Sequence, residues 1–142
     1  MEYTPENITS LKYGEIIVIG TNEFGFHGAG AARMAHEKFG ANWGQGFGLM
    51  GNSFGIPTKD WKIRELHLTI IGFYARRFLE FAKLNPYLKF YLTKIGMGLA
   101  GKTLSEIAPI FYPVTNEPIS NVILPKEFWD YYHEKFGLTI PE

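Results

Sequence analysis

The sequence predicts an α/β domain, and three observations carry that expectation. A β-branched run, Ile16-Ile17-Val18-Ile19, breaks at Gly20 into a glycine-studded loop and then into a helical pattern. The same order of strand, glycine loop and helix returns over residues 87–111. Elsewhere, runs with the two-residue strand period alternate with runs of helical period, the plan of a sheet covered by helices. The 142 residues are enough for one such unit with a sizeable core, so residues 1–142 are read as a single domain.

Residues 1–14 form an irregular, polar lead-in without the apolar segment of a signal peptide. No uncharged apolar run approaches the ~20 residues of a membrane helix, so a soluble cytoplasmic protein without membrane contact is expected. Residues 15–21 form a continuous apolar strand of the kind buried on both faces. The helix over 29–39 places Ala32, Ala35 and Phe39 on one side, with Arg33, Glu37 and Lys38 mostly on the other, and Gly40 ends it. Residues 46–50 and 53–58 predict a hairpin turning at Gly51-Asn52, and Pro57 puts the end or an edge of a strand there.

A linker over 61–65 enters the longest helix, 66–84. Leu66, Ile70, Phe73 and Arg77 share one line of it, and Ile71, Tyr74, Phe78 and Ala82 an adjacent one. Asn85-Pro86 stops that helix. Residues 87–93 alternate Leu88, Phe90 and Leu92 against Lys89 and Tyr91, a strand signal. Thr103 and Glu106 have capping-box spacing for a helix to about residue 111. A loop over 112–120 and a short strand over 121–124 follow, then a last helix over 125–136 with Pro125 at its first position. Phe128, Trp129, Tyr131 and Tyr132 in that helix serve either the core or a homo-oligomer contact.

Composition excludes several functions. Lys+Arg and Asp+Glu both number 14, so no net field recruits nucleic acid or acidic lipid. The absence of cysteine removes disulfides, thiolate catalysis and cysteine-ligated zinc. No His/Asp/Glu spacing suits a metal, and no G-x-S-x-G marks a serine hydrolase.

The glycines point elsewhere. Ten of the sixteen fall within residues 20–55. A strand, a glycine loop and a helix N-terminus present free N–H groups and a positive dipole end to an anion. Gly28-Ala29-Gly30-Ala31-Ala32-Arg33 is not a dinucleotide fingerprint, because Arg33 replaces the third glycine, and no Gly-Lys-Ser/Thr makes it a P-loop. Alone it suits binding and close packing equally well. A second glycine loop over 96–101 tips the balance, since two such loops at strand ends can line one pocket.

Lys59, just past a buried strand, is a candidate anion contact or nucleophile, and His27 a secondary acid/base candidate. His36, His67 and His133 read as surface residues on helices. Trp43, Phe47, Phe54 and Trp61 suit either stacking on a base or the core.

Three segments in order resemble the macro domains. Gly28-Ala29-Gly30-Ala31-Ala32 leading to Phe39-Gly40 is similar to their first loop and helix. Ile56-Pro57-Thr58-Lys59 resembles the apolar-x-T-K segment of the branch that removes ADP-ribose from acidic residues or DNA bases. Thr93-Lys94-Ile95-Gly96-Met97-Gly98-Leu99-Ala100-Gly101 resembles that branch's second phosphate loop. The resemblance spans residues 15–111 and leaves 112–142 as a C-terminal strand and helix. The opening Gly-Thr-Asn and His-Gly-Ala-Gly-Ala-Ala segments are also similar to small phage and bacterial macro-like proteins, which implies a host's cytoplasm for a phage-encoded chain.

The resemblance implies a three-layer α/β/α domain with a mixed central sheet, needing no cofactor or metal. Its ligand would be ADP-ribose or a related nucleotide, free or attached to protein or DNA. Gly28, Ala29, Gly30 and Ala31 with Gly96, Met97, Gly98, Leu99, Ala100 and Gly101 would cradle the diphosphate and distal ribose, with Asn22 near that ribose. Lys59 falls on the lysine that attacks the anomeric carbon. Ala100 stands where some members carry Asp, so a hydrolase that needs the acid would here be a binder only. Others of the branch have glycine there and rely on the lysine. The alternative of a different class is a structural or interaction protein of a phage, in which the glycines serve packing.

Overall fold

The computed structural model describes residues 1–98 and 100–141. It is a mixed α/β fold in which five strands form one mixed sheet in the order β2-β3-β1-β4-β5. The strands are β1 (Glu15–Asn22), β2 (Gly48–Met50), β3 (Ser53–Lys59), β4 (Lys89–Leu92) and β5 (Val122–Ile123). β1 is parallel to β3 and β4, β4 is parallel to β5, and only the β2–β3 hairpin is antiparallel. The chain leaves β1 for its neighbour β3 on one side and then crosses to β4 on the other. A crevice opens at the carboxyl ends of strands where the order switches in this way.

β1 is buried on both faces, and its alternation divides two cores. Ile16 and Val18 pack with Phe54, Phe78, Phe90, Phe111 and Phe128 in the larger one. Ile17 and Ile19 pack with Ala32 and Ala35 of α1 (Gly30–Lys38), with Phe39 at its C-cap, and with Ile8 and Leu11 of the lead-in. Pro57 lies inside β3 rather than at its end. It faces β1 at Thr21, while β2 pairs only with residues 53–55, so no partner on its other side needs the missing N–H.

The long helix α2 (Leu68–Leu84) begins two residues later than expected, because His67 is its N-cap and accepts from Thr69 N at 3.2 Å. Its buried row is Ile71, Ala75, Phe78, Leu79 and Ala82. Ile70 and Phe73 face outward, so only one of the two apolar lines covers the sheet. The capping box is present, with Glu106 accepting from Thr103 N at 2.9 Å. It opens α3 (Leu104–Ile107), which continues into a 3₁₀ turn, Ala108–Phe111. A further helical turn, α4 (Pro113–Asn116), stands where a loop was expected, with Pro113 at its N-terminal position. α5 (Lys126–Phe136) has Pro125 at its N-cap and ends at Gly137 with φ +69°. Phe128 and Tyr132 of α5 are buried in the core. Among the described residues, no helix is long and apolar enough to cross a membrane.

Candidate functional site

A cleft of about 440 Å³ opens at the carboxyl ends of β1, β3 and β4. Its floor comprises Gly20, Thr21 and Asn22 of β1, Thr58 and Lys59 of β3, and residues 93–96 after β4. Gly20 lets the second loop approach closely, since a Cβ on it would stand 3.3 Å from Gly96 N. A threonine sits at each strand end. Thr93 Oγ1 donates to Val18 O at 2.6 Å, Thr58 Oγ1 to Thr21 O at 3.3 Å, and Thr21 Oγ1 to Gly46 O at 2.6 Å. Each hydroxyl ties its strand end to a neighbour, so the floor is held together by side chain as well as by ladder.

Both glycine loops line this one cleft. The first contributes residues 28–32 and the second Gly96, Gly98 and Ala100. α1 starts at the cleft with no side-chain cap on Ala29 and no acid in its first turn. Its first backbone bond is Arg33 N to Ala29 O, so the N–H groups of Gly30, Ala31 and Ala32 precede the helical ladder. The lining carries two ammonium groups, Lys59 and Lys94, and no carboxylate among the described residues. Lys59 has no ion-pair partner among the described residues, whereas Lys94 Nζ lies 2.9 Å from Glu127 and 3.9 Å from Glu6. The hydrogen bond to Glu127 holds the Lys94 amine above the usual lysine range. Free N–H groups, a helix dipole and two cations around an acid-free cavity suit a polyanionic ligand.

Asn22 lines the cleft, but its side chain is already engaged. Oδ1 accepts from Gly25 N at 2.8 Å and Phe26 N at 2.9 Å, and Nδ2 donates to Phe26 O at 2.8 Å. Asn22 therefore shapes the 22–26 turn and braces Phe26. Lys59 is the last residue of β3, and its carbonyl accepts from Glu23 N at 2.9 Å, so the turns after β1 and β3 are joined beside it.

His27 is absent from the lining and only 1% exposed. A carbonyl can only accept, so its Nε2 must donate to Asn42 O, 2.6 Å away. Nδ1 has no hydrogen-bond partner among the described residues. The ring lies edge-on to Trp43, and the bond to Asn42 pins the first glycine loop to the next segment. Met97 packs against the larger core instead of the cleft, and Gly101, with φ +73°, turns the chain beside Glu65. Leu99 lies outside the described residues. Among the described residues, no three His, Asp or Glu side chains converge as metal ligands.

Three lining features were not singled out from the sequence. The strand-end threonines are a repeated signal that was available there. Phe26 looked like any loop aromatic. Ile63, the one described non-glycine residue with positive φ (+64°), carries no sequence signal, because nothing in isoleucine encodes a left-handed backbone. A second cleft of about 420 Å³ lies between the lead-in, α1 and the start of α5, and shares Ala31, Thr93 and Lys94 with the first. Its walls include Pro5, Ile8, Met34 and Pro125, with Glu6 and Glu127 beside them. No protein-family model matches the chain, and comparison with curated proteins and with solved structures returns no match.

Proposed function

We propose that the chain is a macro-like, three-layer α/β/α domain that binds ADP-ribose or a related nucleotide through its two glycine loops. One observation carries the reading: both loops and Lys59 line a single acid-free cleft at the switch point of the sheet. In this reading the diphosphate lies against the α1 N-terminus and Lys94, where the two clefts meet. The base occupies the second cleft, and the distal ribose lies in the first beside Lys59.

As an ADP-ribosyl hydrolase, the Lys59 amine, free of its proton, would form a bond to the anomeric carbon. The bond to the attached group would break, and that group would leave with the electron pair. Water would then release the sugar from the lysine. The loop N–H groups would stabilise the diphosphate charge throughout.

A second reading, sequestration without turnover, is favoured by a specific feature. Ala100 lines the cleft where some macro domains carry Asp, and no other described lining residue supplies a carboxylate. Titration calorimetry with ADP-ribose tests both, and no heat at millimolar ligand would sink them together. Turnover of ADP-ribosylated protein or DNA, with loss of rate in Lys59→Ala, separates enzyme from binder. An unchanged rate in Lys59→Ala removes Lys59 from the mechanism.

A further inference from the structure

Three aromatic rings stand in solvent at one end of the first cleft. Phe24, Phe26 and Trp43 are 48%, 39% and 54% exposed. They are nonetheless ordered against one another, with Phe24 stacked on Phe26 at 4.3 Å and 20°, and Trp43 5.7 Å from Phe26. A contiguous exposed aromatic patch leading into a cleft marks a place that another flat, apolar group covers. Phe26 is the member that enters the lining, and Asn22 holds its backbone from both its N–H and its carbonyl side.

Ile63 enters the same lining from the turn after β3 and is 43% exposed. Its left-handed backbone is strained for a β-branched residue, and Asp60 enforces it. The Asp60 carboxylate accepts from Lys62 N at 2.8 Å, Arg64 N at 2.9 Å and Arg64 Nε at 2.9 Å. Strain that surrounding bonds over-determine is a mark of functional sites. The two turns join at Lys59 through the bond from Glu23 N to Lys59 O, so Phe26 and Ile63 belong to the turns that flank this lysine.

We infer that Phe26 and Ile63 form an apolar mouth for a planar heterocycle carried on the ligand's distal sugar. Phe24 and Trp43 back Phe26 in this role. The inference rests on the function proposed above, which puts that sugar beside Lys59. Aromatic faces take flat rings without regard to their hydrogen-bonding edges, so the mouth selects ring-bearing ligands over acyl-linked ones. The chain has equal numbers of basic and acidic residues, and its paired lysines form no basic track for a phosphate backbone. The occupant is therefore the ring of a free dinucleotide rather than a base in a nucleic-acid strand.

Calorimetry with ADP-ribose, NAD⁺ and an oligodeoxynucleotide carrying ADP-ribose on a base tests this. NAD⁺ should bind roughly tenfold tighter than ADP-ribose, the scale of one stacked ring. Phe26→Ala should bring that ratio to about one, Phe26→Tyr should keep it, and Ile63→Gly, on the other turn, should lower it independently. Equal affinities for NAD⁺ and ADP-ribose in the wild-type protein would overturn the inference. A gain with the oligodeoxynucleotide alone would overturn the free-dinucleotide assignment in favour of a nucleic-acid base. Binding of ADP-ribose with no gain for either ring-bearing ligand leaves the proposed function standing and removes the mouth. No binding of any of the three removes both.

Discussion

Asn22 shows how a residue at the cleft serves it indirectly. Its amide makes three hydrogen bonds to the backbone of the 22–26 turn, so Asn22→Ala should cost about 2 kcal/mol and loosen Phe26. Asn22→Asp keeps both accepting bonds but adds a negative charge to a cleft that the proposed function fills with a diphosphate. A carboxylate oxygen then faces Phe26 O where Nδ2 donated, so the variant should lose about 2 kcal/mol in denaturant unfolding as well as weaken ADP-ribose binding by roughly tenfold. Wild-type affinity in that variant would show that the cleft is not an anion site. Two glycines give a contrast of the same kind. A Cβ on Gly46 would stand 2.2 Å from Asn22 O, whereas nothing lies within 4 Å of one on Gly28. Gly46→Ala should therefore lose about 3 kcal/mol of stability. Gly28→Ala should stay within about 0.5 kcal/mol of wild type and lose ligand affinity through a methyl in the cleft. Lys59 and the glycine loops were legible because they follow apolar strands. The burial of His27 was not, since a turn histidine and a pinned one look alike in a sequence.

At the level of elements, the five strands and helices α1, α2, α3 and α5 were legible in the sequence pattern, while α4 and the choice between equivalent faces were not. Both apolar lines of α2 looked fit to cover the sheet, and only the row through Ile71, Ala75, Phe78 and Ala82 does so. Hydrophobicity could not rank them, because which row faces β3 depends on where the helix is docked. Pro113 falls in a stretch that reads as a loop, but it sits at the first position of a short helical turn, where a missing N–H is tolerated. The 60–64 turn was the least legible element, and it carries the clearest strain. Ile63→Asn should relieve the left-handed backbone, because asparagine tolerates that conformation with little penalty. Its urea midpoint should rise by the equivalent of about 1 kcal/mol. A lower midpoint would mean that Ile63 earns more from its contacts than its backbone loses.

Across the whole molecule, the titrating groups bracket a plateau of stability. Four carboxylates are held below their ordinary values by hydrogen bonds. The N–H of Lys12 acts on Glu15, that of Arg64 on Asp60 and that of Thr103 on Glu106, while the Lys83 ammonium acts on Glu117. Each contributes stability that is complete above its ordinary value, 4.5 for Glu and 3.8 for Asp, and that is lost as pH falls through the lowered one. The tyrosines act in the opposite sense. Burial raises Tyr91 and Tyr132, and burial together with Glu23 pushes Tyr74 up to about 12. Their contribution is complete below the ordinary value of 10.0 and declines as pH rises toward the raised ones. Tyr74 matters most for the site, because its hydroxyl donates to Glu23, whose N–H joins the two turns at Lys59. The urea midpoint should therefore be flat between about pH 5 and 9.5 and fall on both sides. Tyr74→Phe cannot ionise and should flatten part of the decline between about pH 10 and 12, while at neutral pH it loses about 1 kcal/mol with the hydrogen bond. An alkaline decline as steep in Tyr74→Phe as in the wild-type protein would separate Tyr74 from the titration, and with it the coupling between α2 and the turns beside Lys59.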